Sequence, residues 1–283
     1  MASASQRTPK VRCSIHILQI RYDQLTCLAT TRIVSEKVQT ALVFEDDIDW
    51  DVAIKAQLKQ FAYGALALQN ATQPSSSSPY GENWDVLWLG GCGARTKDSG
   101  RVYKIPDDPT VPPNAERMGH EVLKPTFPTP DKTRFVMEYA DVTCSLAYAV
   151  TYESALKTLT KWSLEPNTQP FDNDLRELCD PMNSHGFYLR CIGPYPTLFG
   201  HYRKEGTTAM TSDIREYGDD WHEAFSNWIV YSTMLNAKRL ATGAKTALAQ
   251  YSYFQPQEVD FQRIELPLGE MDSYPMPQVE SEN

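Results

Sequence analysis

One stretch constrains this chain more than any other: Ala41-Leu42-Val43-Phe44-Glu45-Asp46-Asp47-Ile48-Asp49-Trp50-Asp51, where four apolar residues run straight into five carboxylates within seven positions. The apolar run reads as a short strand buried on both faces, as in the sheet of an α/β protein. In such sheets ligands bind beyond the carboxyl ends of the strands. Carboxylates gathered there repel one another, and a bound divalent cation, which takes oxygen ligands, is the commonest reason for the gathering. A solvated helix start is the rival reading, because the macrodipole favours Asp and Glu there. The two readings divide the stretch: Glu45, Asp46 and Asp47 stand at the strand end, Asp49 and Asp51 at the start of the next helix.

The pattern on either side continues the alternation. Ile33, Val34 and Val38 have near-helical spacing before the strand, and Val52, Ile54, Leu58, Phe61, Ala65 and Leu68 predict an amphipathic helix to about residue 69. Pro74 to Pro79, with four serines between, predicts a flexible loop. Trp84 to Gly91 predicts a second buried strand ending in glycines. Gly90 and Gly91 allow backbone to approach a ligand, with a tight turn as the alternative. Residues 101–131 are rich in proline and predict a long irregular loop. Strands are predicted at 134–139, 144–150 and 187–192, and a helix at 153–162. Another helix is expected after Pro170, with Asp172 as its N-cap and Leu175 and Leu178 inward. His201 falls in a predicted loop over 194–203. A last helix is predicted from Asp219 and Asp220, burying Trp221, Phe225, Trp228, Ile229 and Leu235. The whole predicts an α/β fold with a mostly parallel sheet.

Composition sets bounds. The chain of 283 residues carries a net charge of −9, which argues against a nucleic-acid surface. Residues 256–283 hold −6 of that charge, so they are expected to form a disordered acidic tail. Residues 1–30 are poorly defined, leaving 31–255 as the folded unit. The six cysteines, at 13, 27, 92, 144, 179 and 191, form no Cys-x-x-Cys pair, and most are expected to be reduced, half-buried thiols. No apolar run is long enough for a transmembrane helix. The first twelve residues lack acids and faintly suggest a transit peptide, without the apolar core of a secretory signal.

Among known chemical motifs, Asp47, Asp49 and Asp51 match the opening of an EF-hand loop. Val52 and Leu58 then stand where Gly and Glu are needed. Asp49-Trp50-Asp51-Val52 has the spacing of a haloacid-dehalogenase-type phosphotransferase, but three acids separate it from the strand. No phosphate-binding loop or nucleophile elbow is present. What remains is an Asp-x-Asp-like site, where carboxylates hold a cation against a substrate diphosphate. That chemistry fits a glycosyltransferase using a nucleotide sugar.

Ala41 to Asp47 resembles the strand and Glu-Asp-Asp segment of glycosyltransferase family 25, the lipopolysaccharide-type glycosyltransferases. Ile48-Asp49-Trp50-Asp51 is similar to its fungal members. The resemblance continues in order through Trp84 to Gly90, Ala147-Tyr148-Ala149-Val150, Phe171-Asp172-Asn173-Asp174-Leu175, Leu198 to Arg203 and Ser212-Asp213-Ile214. It implies a GT-A-like (Rossmann-like) mixed sheet flanked by helices, and inverting transfer of galactose or another hexose from a UDP-sugar to a hydroxyl on a glycan or protein. It implies Mn2+ or Mg2+ held by Asp46 and Asp47, with Glu45 completing the diphosphate motif. Asp172 would be the general base, with Asp174 as second choice. His201 is either a metal ligand or a structural histidine, and Asp172 either a base or a plain cap. Only 45 residues precede Asp46, enough for one βαβ unit at most, so the nucleotide-binding part is expected to be incomplete at the N-terminus. An inactive glycosyltransferase-like binding protein is the alternative. As written the chain would stay in the cytoplasm, or enter the secretory pathway if an N-terminal anchor is missing.

Overall fold

A computed structural model describes residues 20–71, 78–97, 100–117, 123–165, 169–182, 184, 186–207 and 220–274. Most of the predicted 74–79 loop, the first twelve residues, Ser212-Asp213-Ile214, Asp219 and the end of the acidic tail lie outside them. The first half runs α1 (Ile20–Ser35), β1 (Thr40–Phe44), β2 (Ile48–Trp50), α2 (Ile54–Leu68), β3 (Val86–Gly90), β4 (Gly93–Thr96), β5 (Arg101–Ile105), β6 (Arg134–Thr143) and β7 (Ala147–Thr151). After it come α3 (Tyr152–Leu164), α4 (Phe171–Cys179), β8 (Cys191–Tyr195) and β9 (Phe199–Arg203). Short elements close the chain: β10 (Gly206–Thr207), β11 (Trp221–His222), β12 (Phe225–Ser226), α5 (Ala237–Ala241), β13 (Thr246–Leu248), β14 (Glu258–Asp260) and β15 (Glu270–Ser273).

The predicted α/β class holds: helices cover both faces of an eight-stranded mixed sheet, ordered β1-β7-β3-β8-β6-β5-β15, with β4 added on β6. The sheet is not mostly parallel. Among the described residues β3 and β8 are its one parallel pair, and its other pairs are antiparallel. On one face α1, α3 and α4 enclose Trp88, Phe135, Met137 and Tyr148. On the other, α2 lays Phe61, Ala65 and Leu68 against Leu87, Leu89 and Val136. Each large side chain so buried contributes about 1.5–3 kcal/mol. Thr151 caps α3 by accepting from Ser154 N–H at 3.1 Å.

β1 departs from expectation. Among the described residues it is an edge strand, paired only with β7, and Leu42 and Phe44 are about half exposed. α1 begins at Ile20, so the segment 1–30 ends inside a helix. Residues 101–105 of the predicted loop are strand β5, whose outer edge pairs with β15. That pairing, with Tyr274 stacked on Phe127 at 4.6 Å, orders much of the tail expected to be disordered. The remaining loop is pinned from inside. Asp108 accepts from Arg134 Nε at 2.8 Å, and the same buried guanidinium reaches Pro196 O and Thr197 O.

The five cysteines among the described residues are not reduced. Cys92 bonds Cys144, Cys179 bonds Cys191, and Cys27 is disulfide-bonded as well. Spacing conceals such pairs because the fold, not the sequence, brings them together. No helix among the described residues is long and apolar enough to cross a membrane.

Candidate metal centre

Glu45 follows β1 directly. Its N–H donates to Leu146 O at 2.9 Å, and one carboxylate oxygen accepts from Ser145 Oγ at 2.9 Å. Asp47 lies in the turn between β1 and β2. Its carbonyl accepts from Tyr202 N–H at 2.8 Å, and its Oδ2 accepts from Arg203 Nη1 at 2.7 Å. His201 is on strand β9 and not in a loop, opposite Ile48 of β2. Strand alternation puts Phe199, His201 and Arg203 on one face. Phe199 packs its ring 5.4 Å from Phe44 and 6.2 Å from Trp50, which seats β9 against the end of β1. The result is a convergence: one ligand atom each from Glu45, Asp47 and His201 lies within 4.8 Å of the other two.

The electrostatics suit a cation. Burial pushes the Glu45 carboxyl above its ordinary value; the Ser145 hydrogen bond opposes this, while the charges of Asp47, Asp172 and Asp46 add to it. Burial lowers the His201 imidazole, with Asp47 opposing and Arg203 reinforcing. Both shifts favour neutral forms. A neutral imidazole is the form that ligates metals. Two carboxylates and one imidazole fit a first-row divalent ion such as Mn2+ better than Mg2+, which prefers oxygen throughout.

The other expected site residues fall in different places. Asp46 is exposed and belongs to no such cluster among the described residues. Asp172 lies in the first turn of α4, whose N-cap is Pro170. Its Oδ2 accepts from Cys144 N–H at 3.0 Å, and Thr143 Oγ1 stands 3.5 Å away. Asp172 is therefore held beside the cluster by the turn that also carries Ser145, and the Cys92–Cys144 disulfide anchors that turn. Asp174 is buried with Leu175 and Leu178 on the core side of α4. The space left by Gly90 is filled by Ala147 N and Leu146 Cβ, and that left by Gly91 by Val142 and Thr143 O. Both glycines admit neighbouring chain.

Asp49 and Asp51 do not form a solvated helix start. Both are fully buried. Asp49 accepts from Trp50 N–H, Met234 N–H and Ser232 Oγ, and Asp51 from Ala53 N–H and Tyr231 N–H. They fasten the 230–236 segment to β2 and so stiffen the floor beneath His201. That segment is not the predicted helix. Trp228 has a left-handed backbone, Trp221 is exposed, and α5 begins only at Ala237.

No protein-family model, curated protein or solved structure matches this chain. Sequence reasoning passed over Ser145 and Arg203. Arg203 had a signal: it stands two residues beyond His201, and period-two alternation in a strand would have put both on one face. Ser145 had none, since its contact with Glu45 spans 100 positions of sequence.

Proposed function

We propose that this chain is a metal-dependent glycosyltransferase of GT-A-like architecture, related to family 25, that transfers a hexose from a nucleotide sugar to a hydroxyl acceptor with inversion. The observation that supports this most is the convergence of Glu45, Asp47 and His201 at the end of β1, where the resemblance expects the metal motif. Glu45, Asp47 and His201 would hold the ion, and Ser145 orients Glu45 for it. When bound, such an ion neutralises charge developing on the leaving diphosphate. Asp172 is fixed at one oxygen by Cys144 N–H, leaving the other to accept a proton from the acceptor hydroxyl. The disulfides suit maturation in an oxidising compartment, in keeping with a secretory location.

A second reading is favoured by one observation. Among the described residues β1 is a half-exposed edge strand, so its outer edge is open to a bound chain. The alternative is a glycosyltransferase-like binding protein without turnover. An assay of UDP release from UDP-galactose with Mn2+, comparing the wild type with Asp47→Ala, separates the two. Release that Asp47→Ala abolishes supports the enzyme, and no release from the wild type supports the binding protein.

A further inference from the structure

Resting on the oxidising compartment that the disulfides suit, and independently of the metal cluster, we infer that Asn70 is an N-glycosylation site, its Nδ2 carrying an oligosaccharide. Asn70-Ala71-Thr72 is the one Asn-x-Ser/Thr triplet in the 283 residues, and its middle residue is alanine, not the proline that would disqualify it. The five described cysteines are all disulfide-bonded. Disulfides form and persist in secreted chains, where such triplets are modified, and are rare in the reducing cytosol. The bonded cysteines and the acceptor triplet are separate features of the chain, and both belong to the same compartment.

The fold leaves Asn70 open to the modification. α2 stops in a Schellman turn: Asn70 N–H donates to Ala67 O and Ala71 N–H to Leu66 O, both at 3.0 Å. Asn70 takes the left-handed backbone of that turn, with φ 56°. Asparagine adopts it more readily than most side chains, so the helix stop accounts for the residue at 70. It makes no demand on position 72, where threonine completes the triplet. The side chain is exposed, and its Oδ1 accepts from Arg101 Nη2 at 2.9 Å. Nδ2 has no hydrogen-bond partner among the described residues. In the transfer, Nδ2 attacks C1 of the first sugar of a lipid-diphosphate-linked oligosaccharide. The N–C1 bond forms, the C1–O bond to the diphosphate breaks, and the amide gives up one proton. The substituted amide keeps its carbonyl oxygen, so the Arg101 bond survives. The fifteen residues of α2 rise about 22 Å, which carries the glycan away from the β2–β9 end where the metal cluster lies.

The test is mass-spectrometric peptide mapping, without reduction, of the full chain isolated from the cells that make it, before and after treatment with peptide N-glycosidase. The expected map shows Cys92–Cys144 and Cys179–Cys191 as linked peptides. It also shows a glycan on the peptide holding Asn70, and its enzymatic release leaves an aspartate at the site. Intact disulfides with an unmodified Asn70 overturn the glycan and leave the oxidising compartment standing. Free thiols at those four cysteines overturn both. Thr72→Ala, made in the same cells, should lose the glycan, because it keeps Asn70 and removes the hydroxyl of the triplet; Thr72→Ser should retain it. The melting temperature of Thr72→Ala should equal that of enzymatically deglycosylated wild type, which separates a lost acceptor from a misfolded chain. A glycan that persists in Thr72→Ala lies elsewhere in the chain and overturns the assignment to Asn70.

Discussion

Replacing Asp51 with Asn tests whether the buried carboxylates beneath the site are structural. Burial drives the Asp51 carboxyl from an ordinary 3.8 up to about 7, against the pull of the Ala53 and Tyr231 N–H groups; Asp108 adds to the rise and Arg134 opposes it. Because the folded-state value is raised, the stability it contributes is complete below pH 3.8. That contribution is lost as pH climbs towards 7. At about 1.4 kcal/mol per pH unit the loss comes to roughly 4 kcal/mol. Asn cannot ionise, so Asp51→Asn escapes it. Its single carbonyl oxygen satisfies only one of the two N–H donors, which costs about 1–2 kcal/mol at every pH. Urea denaturation from pH 4 to 7.5 should therefore show curves that cross: the variant is weaker at pH 4 and stronger by about 2 kcal/mol at pH 7.5. Asp49 and Glu45, whose values are also raised by burial, leave a shared downward slope in both proteins. Parallel profiles without a crossing would refute the reasoning.

Three further outcomes are expected. Opening the Cys92–Cys144 bond, which closes a loop spanning 52 positions, should cost about 4 kcal/mol, and opening Cys179–Cys191, spanning 12, about 3 kcal/mol. Urea midpoints of Cys-to-Ser pairs check both values, and a midpoint unchanged for the first pair would contradict the bond. Gly200→Ala should destabilise by about 1–3 kcal/mol, because the added methyl would lie 1.8 Å from Asn227 O and push the 227 segment off β9; a melting temperature equal to wild type would show that the segment gives way freely. Asp172→Asn should slow sugar transfer to an acceptor at least 100-fold while leaving Mn2+ affinity within about twofold, as a base outside the metal set requires. Equal loss of both would move Asp172 into the metal set.

Much of the fold was legible because single elements obeyed their own periods. Val86–Gly90 is a continuous apolar run and is buried throughout; α2 and α3 follow helical spacing, with Phe61, Ala65, Ala155 and Leu159 facing in. What escaped was decided at a distance. Residues 221–235 carry a helical apolar pattern, but Asp49 and Asp51 take the backbone N–H groups of Met234 and Tyr231 across about 180 positions. An i to i−4 ladder cannot form there. β1 reads as doubly buried, yet no strand among the described residues covers its outer edge. The acidic tail was expected to stay disordered on charge, until β5 offered it an edge. In the site, Glu45 and Asp47 were visible as acids after a strand. The arrival of His201 beside them was not, because it depends on β9 folding back over β2.

The central claim is that Glu45, Asp47 and His201 hold one divalent cation, and pulsed electron paramagnetic resonance of added Mn2+ addresses it most directly. One bound Mn2+ per chain is expected, with nitrogen modulation from an imidazole. That modulation should vanish in His201→Ala, and binding should be lost in Asp47→Ala. Mn2+ that remains free in solution, or bound Mn2+ whose spectrum is unchanged by His201→Ala, would contradict it.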